Sequence, residues 1–212
     1  MKKFLAGILL GAWAAGFVLS ASEQKRFQVA LGAGGGLVLA YGSKADYQAG
    51  ENDFPVTPTH SSWTFAGSAR YLFNARWGIE AHGAFYPESQ VTLTDPSDGD
   101  TVAIGTAAHF EVTANVVFYI VRGEKLGVYI LGGAGFDKLL AKDRTYISTK
   151  GSGVYFGAPD KTVDALALMG SGIEIDLSRN IGIKADIRYR LIFTKPSPIQ
   201  SADISAGLFL RF

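Results

Sequence analysis

From residue 27 to the end, apolar residues fall at every second position in eight stretches. That is the period of a β-strand and not the 3.6 of a helix. The stretches cover residues 27–41, 63–73, 77–85, 110–120, 126–136, 163–177, 181–193 and 204–212. Asn74-Ala75-Arg76, Gly123-Glu124-Lys125 and Ser178-Arg179-Asn180 join neighbouring stretches as tight hairpin turns. The other connections, about residues 42–61, 87–101, 138–162 and 195–201, are longer. They carry turn chemistry such as Asp95-Pro96-Ser97-Asp98-Gly99, Gly151-Ser152-Gly153 and Lys195-Pro196-Ser197-Pro198. Short and long connections alternate, which puts every tight turn at one end of the sheet and every long loop at the other. The pattern predicts a single all-β domain, an eight-stranded antiparallel up-and-down barrel.

Volume decides which face points inward. The bore of an eight-stranded barrel is just wide enough for side chains to fill it. The apolar parity is bulky, with Trp63, Phe65, Trp77, Phe110, Ile130 and Met169 among its members. The opposite parity is small or polar: Ala30, Gly32, Gly34, Gly36, Thr64, Ala66, Ser68, Gly133, Gly135, Gly170 and Gly172. The small set therefore belongs inside and the apolar set outside. An apolar exterior is stable in lipid, where closure of the sheet satisfies every backbone group. Aromatics cluster toward both ends of the outward rows: Phe27, Phe73, Trp77, Phe118 and Phe212 on the tight-turn side, and Tyr41, Trp63, Phe85, Phe110, Phe136 and Tyr189 on the loop side. Such a distribution suits the two interfaces of a membrane.

The first 22 residues have the layout of a secretory signal peptide: Lys2-Lys3, an apolar run over residues 4–19, then Ser20-Ala21-Ser22. Cleavage is expected after Ser22, with Ser20 as the alternative. The apolar run is shorter than the about 20 residues of a transmembrane helix. Removing residues 1–22 takes Lys2 and Lys3 from the 20 basic residues and none of the 19 acidic ones, leaving 18 against 19. With no basic excess, a nucleic-acid partner is not expected. The absence of cysteine removes disulfides, thiol catalysis and a lipoprotein anchor.

With its apolar exterior, its aromatic rows and an ending on Leu208, Leu210 and Phe212, the chain resembles the small outer-membrane β-barrel proteins of the OmpX, OmpW and OmpA-barrel kind. The resemblance covers about residues 23–212 and implies location in the cell outer membrane, with outer-membrane lipid around the barrel. It also implies that Leu208, Leu210 and Phe212 form the signal read by the barrel assembly machinery. A monomer is expected, because no outward row lacks its apolar residues.

The polar parity reads as a lumen. Pairing around the first tight turn places Arg70 opposite Glu80 and Ser68 opposite His82; around the third it places Glu174 opposite Lys184. His109, Glu111, Asp186, Arg188, Arg190 and Arg211 share the inward parity. Charges of both signs in a narrow bore are expected to pair, forming a plug toward the tight-turn end. The loop-side half of the bore, with Val38, Ala40, Ala66, Ala84, Leu166 and Leu168, is a candidate apolar pocket for a small hydrophobic solute, although simple filling by the two leucines is preferred.

Catalytic and cofactor chemistry finds little support. His82, His109, Glu80 and Glu111 could ligate a metal, but hydrogen-bonded lumen histidines are the preferred reading. His60-Ser61-Ser62 offers a base and a hydroxyl without an orienting acid. Gly32-Ala33-Gly34-Gly35-Gly36 meets Leu37 where a dinucleotide fingerprint needs glycine, and no helix follows. Neither a cofactor nor a catalytic residue is expected. In order of preference the chain is a non-enzymatic envelope protein with a charge-plugged lumen, its long loops contacting an extracellular ligand or other envelope components. A narrow channel for small solutes, hydrophobic ones included, comes second, as in OmpW-type barrels. A lipid-modifying enzyme is third and a soluble lipocalin-like carrier fourth.

Overall fold

The computed structural model describes residues 26–40, 47–49, 52–54, 61–88, 90–94, 99, 101–105, 107–140, 143–151, 153–156, 162–194 and 198–212. The leader, Tyr41 and His60 lie outside the described residues.

Eight strands close a barrel: β1 (Phe27–Ala40), β4 (Ser61–Leu72), β5 (Trp77–Tyr86), β8 (Ala108–Arg122), β9 (Leu126–Leu140), β12 (Val163–Asp176), β13 (Ile181–Ile192) and β14 (Ile199–Arg211). Each pairs antiparallel with the next barrel strand, and β1 pairs with β14 to complete the circle. This is the up-and-down topology that the alternating turns predict. The tight turns owe their shape to short polar side chains. Asn74 Oδ1 accepts from the backbone N–H of Arg76 (2.8 Å) and Trp77 (2.9 Å), and Ser178 Oγ accepts from Ile181 N–H (3.2 Å). They set the pairings Arg70 with Glu80, Ser68 with His82 and Glu174 with Lys184.

Strand stagger decides who meets across the bore. From Gln28, the paired residues run through Arg70, Glu80, Asn115, Gly133, Leu168, Arg190 and Ser201 and return to β1 at Val38, ten residues further along. Such a shift tilts the strands against the barrel axis, so residues far apart in the chain come level across the bore. The seam between β1 and β14 is tight: a Cβ at Gly34 would strike the backbone of Ile204 and Ser205. Gly32 and Gly34 therefore serve close backbone approach, and the glycine run lies within a strand.

The outer surface carries the bulky apolar parity. Trp63 is 74% exposed and Leu208 60%, whereas Leu131 is 5% exposed beside the outward Ile130. At the tight-turn end Phe27 packs on Phe212 (ring centroids 6.3 Å apart) and Trp77 on Phe118 (4.7 Å). A register shift between Tyr119 and Val121 leaves both Ile120 and Val121 facing outward, so the alternation breaks there by one residue.

Two details depart from the sequence reading. The long loops are not made of turns alone. They contain the hairpins β2 (Tyr47–Ala49) with β3 (Asn52–Phe54), β6 (Gln90–Thr94) with β7 (Thr101–Gly105), and β10 (Arg144–Ile147) with β11 (Gly153–Phe156). Backbone N–H of Thr149 donates to Thr101 O at 2.8 Å, tying the third long loop to the second. The last strand starts at Ile199 and not at Ile204. Ser201 and Asp203 face the bore, so the bulky apolar alternation begins later than the strand does.

Candidate functional site

The bore is filled by two connected sets of polar side chains. The lower one draws on all eight barrel strands. Arg70, on β4, is its hub: Nε and Nη2 donate to Glu80 Oε2 (3.2 and 2.7 Å), and Nη1 donates to Glu174 Oε1 (2.6 Å) and to Tyr119 Oη (2.7 Å). Its guanidinium also lies 4.3 Å from the ring centroid of Tyr129, a cation–π contact in a desolvated setting. Tyr119 donates to Glu174 Oε2 (2.8 Å), Gln28 Nε2 donates to Glu174 Oε1 (3.0 Å), and Asn115 Nδ2 to Glu80 Oε1 (3.3 Å). From β13, Arg188 Nη2 donates to Glu80 Oε1 (2.9 Å), and Lys184 Nζ lies 3.2 Å from Asp186 and 3.6 Å from Glu80. Tyr129 Oη donates to Asp186 Oδ1. Arg211, from β14, closes the set below, bonding Glu174 (2.7 Å) and Asp176 (2.6 Å).

The upper set lies toward the loops. Arg190 Nη1 donates to Glu111 Oε2 (2.9 Å) and Nη2 to Asp203 Oδ1 (3.0 Å); Tyr86 Oη donates to Asp203 Oδ2 (2.9 Å). The Arg190 guanidinium lies 4.3 Å from the Tyr86 ring centroid, and His109 stacks on the same ring at 4.2 Å with its Nδ1 2.7 Å from Asp137.

Buried charges are stable only when their hydrogen bonds are nearly complete. Arg70, Glu80 and Glu174, each 2% exposed or less, meet that condition through several partners apiece.

The geometry also redistributes the expected network. Glu174 and Lys184 stand opposite each other, but their charges go elsewhere: Glu174 to Arg70 and Arg211, Lys184 to Asp186 and Glu80. Charge is not confined to the tight-turn end, because Arg190, Glu111 and Asp203 cross the loop-side half. Leu166 and Leu168 are buried in a packed cluster with Leu72, Val117, Tyr119, Tyr129, Leu131 and Ile192, and Ala84 is buried too. Ala66 is half-buried, and the side chain of Val38 lies outside the described residues. His82 is buried, its Nδ1 without a hydrogen-bond partner among the described residues, and His109 bonds Asp137, not Glu111. No group of three potential ligands gathers around a metal position among the described residues. Leu208 and Leu210 are exposed on the outer face of β14, with Phe212 just beyond it.

Sequence reasoning overlooked Asp203, Asp176, Asp137, Tyr86, Tyr119, Tyr129, Gln28 and Asn115. Parity could have found most of them. An aromatic on the polar face, as at Tyr119 and Tyr129, signals a buried hydroxyl needing a partner.

A closed sheet, ionic within and apolar without, defines a membrane-spanning β-barrel. The chain belongs to the outer membrane protein beta-barrel domain family, whose profile matches residues 6–212, and it is an outer-membrane protein. Among solved structures it is similar to Neisserial surface protein A (NspA), with 14% identity over 88% of this chain and 97% of that one, TM-score 0.57. Similar too is OprG from Pseudomonas aeruginosa, with 13% identity over 89% and 97%, TM-score 0.54. Ail of Yersinia pestis shows 19% identity over 89% and 100%, TM-score 0.49. At these identities the likeness is one of fold. No curated protein sequence matches the chain.

Proposed function

We propose that the protein is a non-enzymatic envelope component, a barrel whose bore is plugged by its own ion pairs and whose long loops form an extracellular contact surface. Residues 1–22 serve as its cleaved leader. Leu208, Leu210 and Phe212 serve as its signal to the barrel assembly machinery, and the barrel is a monomer in outer-membrane lipid. The single observation that carries the plug is the Arg70 hub, which links β4, β5, β8 and β12 across the bore. Against the channel reading stand the packed Leu166 and Leu168 and the second ionic layer at Arg190. Against an enzymatic reading, His109 is held between Asp137 and the Tyr86 ring, and Glu111 is bonded by Arg190.

Single-channel recording in planar bilayers tests the plug. The wild-type barrel is expected to show no resolvable steps, and Arg70→Ala and Glu80→Ala are expected to introduce them. Resolvable wild-type steps as large as those of both variants would overturn the plug and favour the narrow channel, whereas no conductance in any of the three would count against the channel.

A further inference from the structure

The tight-turn end of the barrel opens into a basin of about 730 Å³, walled by strand ends and by all three tight turns. In bacterial outer-membrane barrels the short turns face the periplasm. Five basic side chains line this basin, Arg26, Arg122, Lys125, Arg179 and Arg211, against two acidic ones, Glu124 and Asp176. Asp176 and the buried Glu174 are both bonded by Arg211, so the positive excess of the lining comes from Arg26, Arg122 and Lys125 against Glu124.

Three guanidinium groups in the wall have an N–H with no hydrogen-bond partner among the described residues, Arg26 Nε, Arg122 Nη1 and Arg211 Nε; all three are shielded in the resting wall, so these flexible side chains must turn toward the basin to donate to a ligand. Arg122 is positioned against the wall, its guanidinium 4.8 Å from the Tyr119 ring centroid. The donors come from the edge of β1 and from β8 and β14, three separate strands. A shielded N–H without an acceptor is costly, and guanidinium is the group best matched to planar or tetrahedral oxyanions. A lone carboxylate offers two oxygens in one plane and satisfies a single fork. A phosphate group offers three peripheral oxygens pointing in different directions, and its charge of nearly two suits a basin whose lining holds more cations than anions. The volume lies in the range of small-molecule sites.

We propose that this basin is a periplasmic binding site for a phosphate-bearing ligand, with Arg26, Arg122 and Arg211 as its donors. The phosphate could belong to a soluble compound or to the headgroup of a neighbouring phospholipid, and one experiment separates the two.

The folded barrel in zwitterionic detergent at low ionic strength is titrated with tripolyphosphate by calorimetry. In parallel, barrels reconstituted in bilayers containing phosphatidylglycerol are assayed by native mass spectrometry for retained lipid. Arg26→Gln combined with Arg122→Gln is expected to weaken tripolyphosphate binding at least tenfold, while Arg76→Gln, in the exposed first turn and outside the basin, changes it less than twofold. Tripolyphosphate binding with that pattern assigns a soluble ligand. Lipid retention that the double variant loses, with no tripolyphosphate binding, assigns a headgroup. If the double variant does not fold, Arg122→Gln alone is expected to weaken binding about threefold. The proposal fails if neither probe binds the wild type, if the basin variants bind as well as wild type, or if Arg76→Gln weakens binding as much as they do.

Discussion

Arg70 of β4 and Glu174 of β12, 104 positions apart in the chain, meet at 2.6 Å across the bore. Their strands lie on opposite sides of the barrel, four places apart in either direction round the sheet. The contact therefore braces the barrel across its width, which no backbone ladder can do.

Replacing Arg70 with Met should be severely destabilising, because it leaves two buried carboxylates short of a cation. Breaking one side of a buried pair costs about 3–5 kcal/mol. Glu80 keeps Arg188 and Glu174 keeps Arg211, so a loss of about 3 kcal/mol is expected, toward the low end of that range. Urea unfolding in lipid vesicles, followed by tryptophan fluorescence, measures it. Adding Glu80→Gln and Glu174→Gln to Arg70→Met should recover part of the loss.

The chain has no cysteine, so single introduced thiols report orientation without background. A fluorophore at Ile130→Cys should be quenched by lipid carrying a quencher in its acyl chains. The same label at Leu131→Cys should be shielded or prevent folding. Equal quenching at both would reverse the inside and outside assigned to β9.

Gly34→Val should block closure of the seam between β1 and β14, since its Cβ would collide with the backbone of Ile204 and Ser205. Backbone cannot move aside as a flexible side-chain tip can. The expected outcome is a chain that gains β-structure in lipid with strongly reduced yield, seen by far-UV circular dichroism. Normal folding of Gly34→Val would mean that the seam is looser than its register requires.

Tyr86→Phe removes the hydroxyl that donates to Asp203 and leaves the ring between Arg190 and His109. One hydrogen bond to a charged acceptor is worth about 1.5–3 kcal/mol. Arg190 still holds Asp203, so a loss of about 1.5 kcal/mol is expected in the same unfolding assay.

How much of this can be read from sequence depends on how local each feature is. Next to a tight turn, register is a local property: Asn74-Ala75-Arg76 leaves no alternative to pairing Arg70 with Glu80, and alternation alone locates the strands. Partners across the bore are not local. Glu174 stands beside Lys184 in the ladder yet bonds Arg70, because the ten-residue stagger brings β4 level with that height of β12. Stagger accumulates over eight pairings and leaves no mark in any single turn. Asp203 is hidden for another reason: bulky apolar alternation marks this strand only from Ile204, and its first residues interleave small or polar ones. The loop hairpins were hidden because strands of three to five residues carry too few positions to display a period.

Since β1 is hydrogen-bonded to β14 as well as to β4, Gln28 completes its pairing only when Arg211 arrives. Until the final strand arrives, the sheet has two raw borders whose amide groups face hydrocarbon unmatched. Half a cylinder has no stable existence there, so assembly is expected to be all-or-none, with most contacts linking residues far apart in the chain. A polypeptide built this way must be carried to its membrane unfolded and kept from its own kind on the journey, and its final shape can appear only once β14 has been delivered.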